Sequence, residues 1–118
     1  MAMILNIDFH DFVGSDAAPV SQYIGHPDGY YPQESLEALI RRAAESGFAK
    51  IFFRIAVCGR AACRSKVKEM AAHPAPWPPT LERYDPFAVA VKAAHEAGIE
   101  CYAWITPLDD SGPKLGSR

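Results

Sequence analysis

The chain has 118 residues, enough for one domain of ordinary size and too few for two. Hydrophobic residues make up 49% and charged residues 22%, which excludes the disordered, collagen-like and disulfide-scaffold classes. The length excludes a complete eight-stranded β/α barrel, which needs at least about 200 residues, and a net charge of −2 with no basic stripe among the aromatics excludes nucleic acid as an expected partner.

Met3 to Phe9 (MILNIDF) alternates apolar and polar residues and reads as a first strand, ending at His10-Asp11. A Gly/Pro/Asp-rich loop follows to about Tyr31. Pro32 then opens a segment in which Leu36, Leu39, Ile40 and Ala43 recur at the spacing of a helix with one buried face, and Gly47 supplies a left-handed cap at its end. Lys50 to Val57 (KIFFRIAV) is rich in β-branched and aromatic residues and reads as a second strand. From Cys58 to Tyr84 no strong period is visible. Pro74, Pro76, Pro78 and Pro79 forbid regular structure in its second half, leaving a long loop with a helical turn at most around Lys66–Ala72. Asp85-Pro86 is a helix start, because Asp caps free amides and Pro suits the first helical position. Phe87, Ala90, Val91 and Ala94 form the apolar face of this second helix, His95 sits near its end and Gly98 closes it. Ile99 to Ile105 (IECYAWI) is a third strand, and the remainder from Thr106 reads as loop.

The expected fold is therefore α/β: three parallel strands with two right-handed crossover helices, β-α-β-α-β, in one domain over 1–118 with a Pro-rich loop at 58–84. Strand alternation decides the architecture. Leu5, Ile7 and Phe9 oppose Asn6, Asp8 and His10; Ile51, Phe53, Ile55 and Val57 oppose Phe52, Arg54, Ala56 and Cys58; Ile99, Cys101, Ala103 and Ile105 oppose Glu100, Tyr102, Trp104 and Thr106. Each strand has one apolar and one mixed face, whereas a sheet covered on both sides would be apolar throughout. Both helices belong on the apolar side. The other side resembles the inner wall of a (β/α)8 barrel, where polar groups gather at the carboxyl ends of the strands.

Cys58, Cys63 and Cys101 are odd in number and show no CxxC spacing, so they are expected to be buried reduced thiols. The first apolar run is broken by Asn6 and Asp8 and lacks the flanks of a signal peptide, so the chain is expected to be cytoplasmic, with no membrane partner. No dinucleotide, Walker or nucleophile-elbow motif occurs, and no cofactor is expected.

Asp8, His10, Arg54, Trp104 and Thr106 converge on the mixed wall. Such a set suits a sugar, because carboxylate and guanidinium hydrogen-bond hydroxyls while an indole packs on the apolar face of a pyranose. An Asp8–Arg54 pair equally serves to neutralise two inward charges. Asp8, His10 and Asp11 also compose a low-specificity start for a metal-dependent hydrolase, but no second histidine motif completes it and no metal is expected.

The stretch YDPFAVAVKAAHEAGIECYAWITPLDD (Tyr84 to Asp110) resembles the "DPL…AAH..G(I/L)E..AW" segment of glycoside-hydrolase-like proteins with TIM-barrel folds. Ile7 to Phe12 and Glu34 to Ile55 are similar to the same proteins' first strand, first helix and second strand. The resemblance implies substrate contacts from Asp8 and His10, from Arg54 and the Cys58–Ser65 loop, and from Trp104 with Asp109 or Asp110, to which the wall itself adds Thr106. It also implies that the carboxylate pair of glycoside hydrolysis lies on later strands, so that this segment is catalytically incomplete alone and its catalytic residues are unknown. The open wall and strand edges lead to an expected homodimer or higher oligomer. The alternative readings are a small self-associating α/β binding module and a metal-dependent hydrolase using Asp8, His10 and Asp11.

Overall fold

A computed structural model describes residues 2–9, 30–57, 60–61, 63–64 and 78–106. The chain runs β1 (Met3–Ile7), α1 (Gln33–Glu45), β2 (Phe48–Val57), β3 (Arg60–Ala61), α2 (Pro78–Arg83), α3 (Pro86–Glu96) and β4 (Glu100–Ile105). β2 is central. It pairs in parallel with β1 on one side (Leu5 with Ile51, Ile7 with Phe53) and with β4 on the other (Lys50 with Glu100, Phe52 with Tyr102, Arg54 with Trp104). The α/β class and the three parallel strands thus agree with the sequence reading, to which the structure adds a short antiparallel β3 on the end of β2.

The local causes are visible in the backbone. In α1 the periodic Leu36, Ile40 and Ala43 are buried, and the helix gives way at Gly47, whose φ of 91° carries the chain directly into β2. β2 therefore begins at Phe48, two residues before the alternation alone suggests. Asp85 caps α3: its Oδ1 accepts the amides of Phe87 at 3.1 Å and Ala88 at 3.3 Å, and Pro86 occupies the first turn. Gly98, at φ 75°, ends the turn into β4.

Three expectations are corrected. The Pro-rich segment is not irregular to its end, because Pro78 and Pro79 open α2. Proline is harmful in a helix interior, whereas in the first turn its missing N–H has no partner to lose. In α3 the expected Phe87, Ala90 and Ala94 do face the core, Phe87 against Phe53, but Pro86 and Ala93 complete the buried face and Val91 is only half-buried. Finally, the apolar side of β4 is covered only where it begins. Ile99 and Cys101 are half-buried, while Ala103 is exposed and Ile105 is 51% exposed. Among the described residues β4 is a sheet edge, and a crossover helix lies over the gap between the strands it links, so the outer flank of this strand is not covered by a described helix.

The core lies on one side of the sheet, among Ile7, Phe9, Ile51 and Phe53 from the strand side, Leu36 and Ile40 from α1, Leu81 and Tyr84 from α2 and its end, and Ala90, Ala93 and Ala94 from α3. Phe9 stacks at a tilt on Phe53 (5.6 Å) and edge-on against Tyr31 (5.5 Å). Both crossover helices pack on this side, as two right-handed crossovers in the same direction require. Among the described residues, no helix covers the opposite side.

Candidate functional site

On the open side the register stacks three rows. Ile4, Lys50 and Glu100 lie at the amino ends of the strands, Asn6, Phe52 and Tyr102 in the middle, and Asp8, Arg54 and Trp104 at the carboxyl ends, with Thr106 just beyond β4. Alternation puts these side chains on one face, and the parallel pairing brings their rows into line.

The top row is a joined cluster centred on Arg54. Its Nη1 donates to Asp8 Oδ2 at 2.7 Å, its Nη2 donates to Thr106 Oγ1 at 3.3 Å, and its guanidinium carbon lies 4.8 Å from the centre of the Trp104 ring. The Asp8 bond is a charge-assisted one between side chains that are only 16% (Arg54) and 25% (Asp8) exposed. The guanidinium thus donates to two oxygens from separate nitrogens and lies over the indole ring. Four of the seven expected contact residues, Asp8, Arg54, Trp104 and Thr106, are brought together. His10, Asp109 and Asp110 lie outside the described residues.

The lower rows hold a second group: the sequence reading placed Phe52, Glu100 and Tyr102 on the wall without assigning them a role, and the structure adds Lys50. Tyr102 Oη donates to Glu100 Oε2 at 2.6 Å, Lys50 Nζ lies 3.5 Å from the same oxygen, and Phe52 meets Tyr102 edge-on at 5.7 Å. The tyrosine hydrogen bond, then the lysine charge, hold the Glu100 carboxyl below its usual range, and the same bond raises the Tyr102 phenol. Cross-strand pairing of Lys50 with Glu100 was the available signal, visible once the two strands are set in register.

The other described reactive groups are quiet, and Cys58 lies outside the described residues. Cys63 and Cys101 carry free thiols; burial raises both, Cys101 to about 11, and the Asp85 charge adds to the effect at Cys63. Neither is poised as a thiolate at neutral pH. His95 is exposed in the last turn of α3. Among the described residues no three His, Cys, Asp or Glu side chains gather as a metal site, and Asp8 Oδ2 is engaged by Arg54; His10 and Asp11 are outside the described residues. No helix among the described residues is long and apolar enough to cross a membrane. No protein-family model, curated protein or solved structure matches this chain.

Proposed function

We propose that the open side of the sheet is a carbohydrate-contacting wall of a glycoside-hydrolase-like β/α protein, with Arg54, Asp8, Thr106 and Trp104 as its binding residues. The observation that carries this reading is the top-row cluster: a guanidinium fixed by two oxygens and lying on an indole, at the carboxyl ends of three parallel strands, on the side no described helix covers. Sites of β/α proteins gather at that end of the strands. Fixed polar groups beside an aromatic face are what a pyranose needs. The resemblance of Tyr84 to Asp110 to glycoside-hydrolase-like segments supports the same reading.

Binding, not hydrolysis, is the part assigned to these residues. Glycoside hydrolysis takes two carboxyl groups about 5–10 Å apart. Asp8 and Glu100, the described carboxylates of this face, stand four positions apart along the strands and two strands apart across the sheet, about 16 Å between backbones at ordinary strand rise and spacing. Each is also engaged locally, Asp8 by Arg54 and Glu100 by Tyr102 and Lys50. Titration of the protein with neutral oligosaccharides, followed by tryptophan fluorescence and by calorimetry, tests the reading. Binding that is lost in Trp104→Ala, with circular dichroism unchanged, supports it; Trp104→Ala that binds as wild type, or that unfolds, overturns Trp104 as a ligand contact.

A second reading, self-association through this face or the sheet edges, is favoured by the exposure of Met3 (46%), Ile4 (46%), Tyr102 (45%) and Ile105 (51%).

A further inference from the structure

The carbohydrate reading leaves open which sugars the wall accepts, and the charges around Arg54 bear on that choice. We infer that the Asp8 carboxylate makes this site select uncharged sugars and reject acidic ones. The inference rests on the carbohydrate reading and deepens it.

A lone arginine on a binding wall invites a uronate carboxylate or a sulfate, because its fork of donors matches such oxygens. Here that fork is already occupied by an intramolecular carboxylate at 2.7 Å. An acidic sugar seeking Arg54 has to place a second anion beside Asp8, and both side chains are largely shielded from water. Like charges brought together in such a setting repel strongly. Displacing Asp8 offers no escape, since it breaks a charge-assisted bond between two shielded side chains. Lys50, the other described cation of this face, is likewise matched, by Glu100. The four described charges of the wall therefore pair off one against one.

A neutral sugar meets none of these penalties. A carboxylate oxygen accepts more than one hydrogen bond, so Asp8 can take the proton of a sugar hydroxyl while keeping Arg54. An ionised acid group has no proton to offer. One residue thus fixes the arginine, welcomes hydroxyls and repels anions, which is specificity obtained by a repulsive element as well as an attractive one.

The test compares matched probes: tetramers of glucose, mannose and galactose against tetramers of the corresponding uronic acids, titrated calorimetrically into the whole chain at low and high salt. Wild type is expected to bind a neutral tetramer at least about tenfold more tightly than its acidic counterpart. Added salt is expected to narrow that ratio by screening the repulsion. In Asp8→Asn, which keeps an acceptor near Arg54 but removes the negative charge, the ratio is expected to shrink or invert. Wild-type affinity for an acidic tetramer equal to or above that for the neutral one overturns the inference while leaving carbohydrate binding in place. A neutral preference that persists unchanged in folded Asp8→Asn overturns the role given to Asp8. Binding of no tetramer in either set overturns the carbohydrate reading itself, and the inference with it. Should Asp8→Asn fail to fold, the wild-type ratio and its salt dependence decide the matter.

Discussion

Asp85 serves two segments from one side chain. Its Oδ1 accepts the amides of Phe87 and Ala88 at the start of α3, and its Oδ2 accepts the amide of Arg64 at 3.1 Å. Asp85→Ala should therefore lower stability by about 1–2 kcal/mol, the upper range for loss of a cap, and Asp85→Asn should recover most of it. Urea unfolding of both variants checks this, and an unchanged midpoint for Asp85→Ala would contradict it. Gly98 offers a cleaner backbone test. A Cβ added there would meet nothing within 4 Å, so Gly98→Ala isolates the cost of holding an L-residue at φ 75°. That cost is about 1 kcal/mol, read as a lower melting temperature with an unchanged spectrum.

At the scale of elements, α2 shows why part of the fold is hard to read from sequence. Its six residues are too few for a periodic signal, and its position is fixed by contacts distant in the chain. Tyr31 donates its amide to Thr80 Oγ1 at 3.1 Å, Tyr84 Oη donates to the Tyr31 carbonyl at 2.7 Å, and Arg64 donates to the carbonyls of Leu81 and Glu82 at 2.9 and 3.0 Å. None of these pairings has a local signature. The caps at Asp85-Pro86 and Gly47 and the alternation of β1, β2 and β4 were readable because they are local rules of backbone geometry. Those rules also placed Asp8, Arg54, Trp104 and Thr106 on one face. They did not show that Ile105 would be bare, because that follows from β4 being an edge.

The α2 contacts carry a pH prediction. Burial raises the Tyr84 phenol above its ordinary value. A folded-state value above the unfolded one means that the neutral phenol stabilises the fold below about pH 10, and that this stability is lost as pH rises beyond it. Urea midpoints measured from pH 8 to 11 should fall at the alkaline end. The fall should be shallower in Tyr84→Phe by about one proton, or about 1.4 kcal/mol per pH unit. At neutral pH the same variant should cost about 1 kcal/mol for the lost bond to Tyr31. An identical alkaline slope in the two proteins would show that Tyr84 is not the titrating group.

For the whole molecule, the described part of the sheet leaves apolar surface at several places, the exposed Met3 and Ile4 of β1 among them. The open side carries Phe52, Tyr102 and Trp104; the flank of β4 carries Ile105; and a groove between β1, the start of β2 and α1 is lined by Leu5, Leu39, Ala43 and Phe48. Among the described residues the outer edges of β1 and β4 pair with no strand, and β1 bears no charged residue to blunt its edge. Self-association at tens of micromolar is the expected result, measured by light scattering with mass determination. A clean monomer mass would contradict it. Nitrophenyl glycosides should show no turnover attributable to Asp8, and hydrolysis lost in Asp8→Asn would reverse the assignment of this face to binding alone.

The central claim is that ligand contact is made by the carboxyl-end cluster on the open side of the sheet. Its most direct test is an amide and indole ¹⁵N–¹H shift titration of the full chain with neutral oligosaccharides, run beside Trp104→Ala. The account predicts saturable shifts centred on Arg54, Trp104 and Thr106 and at Asp8, with α1 and the helix side of the sheet unmoved. Saturable shifts confined to α1, α3 or the Leu5–Leu39–Phe48 groove, or no shifts with any sugar at millimolar concentration, would contradict it.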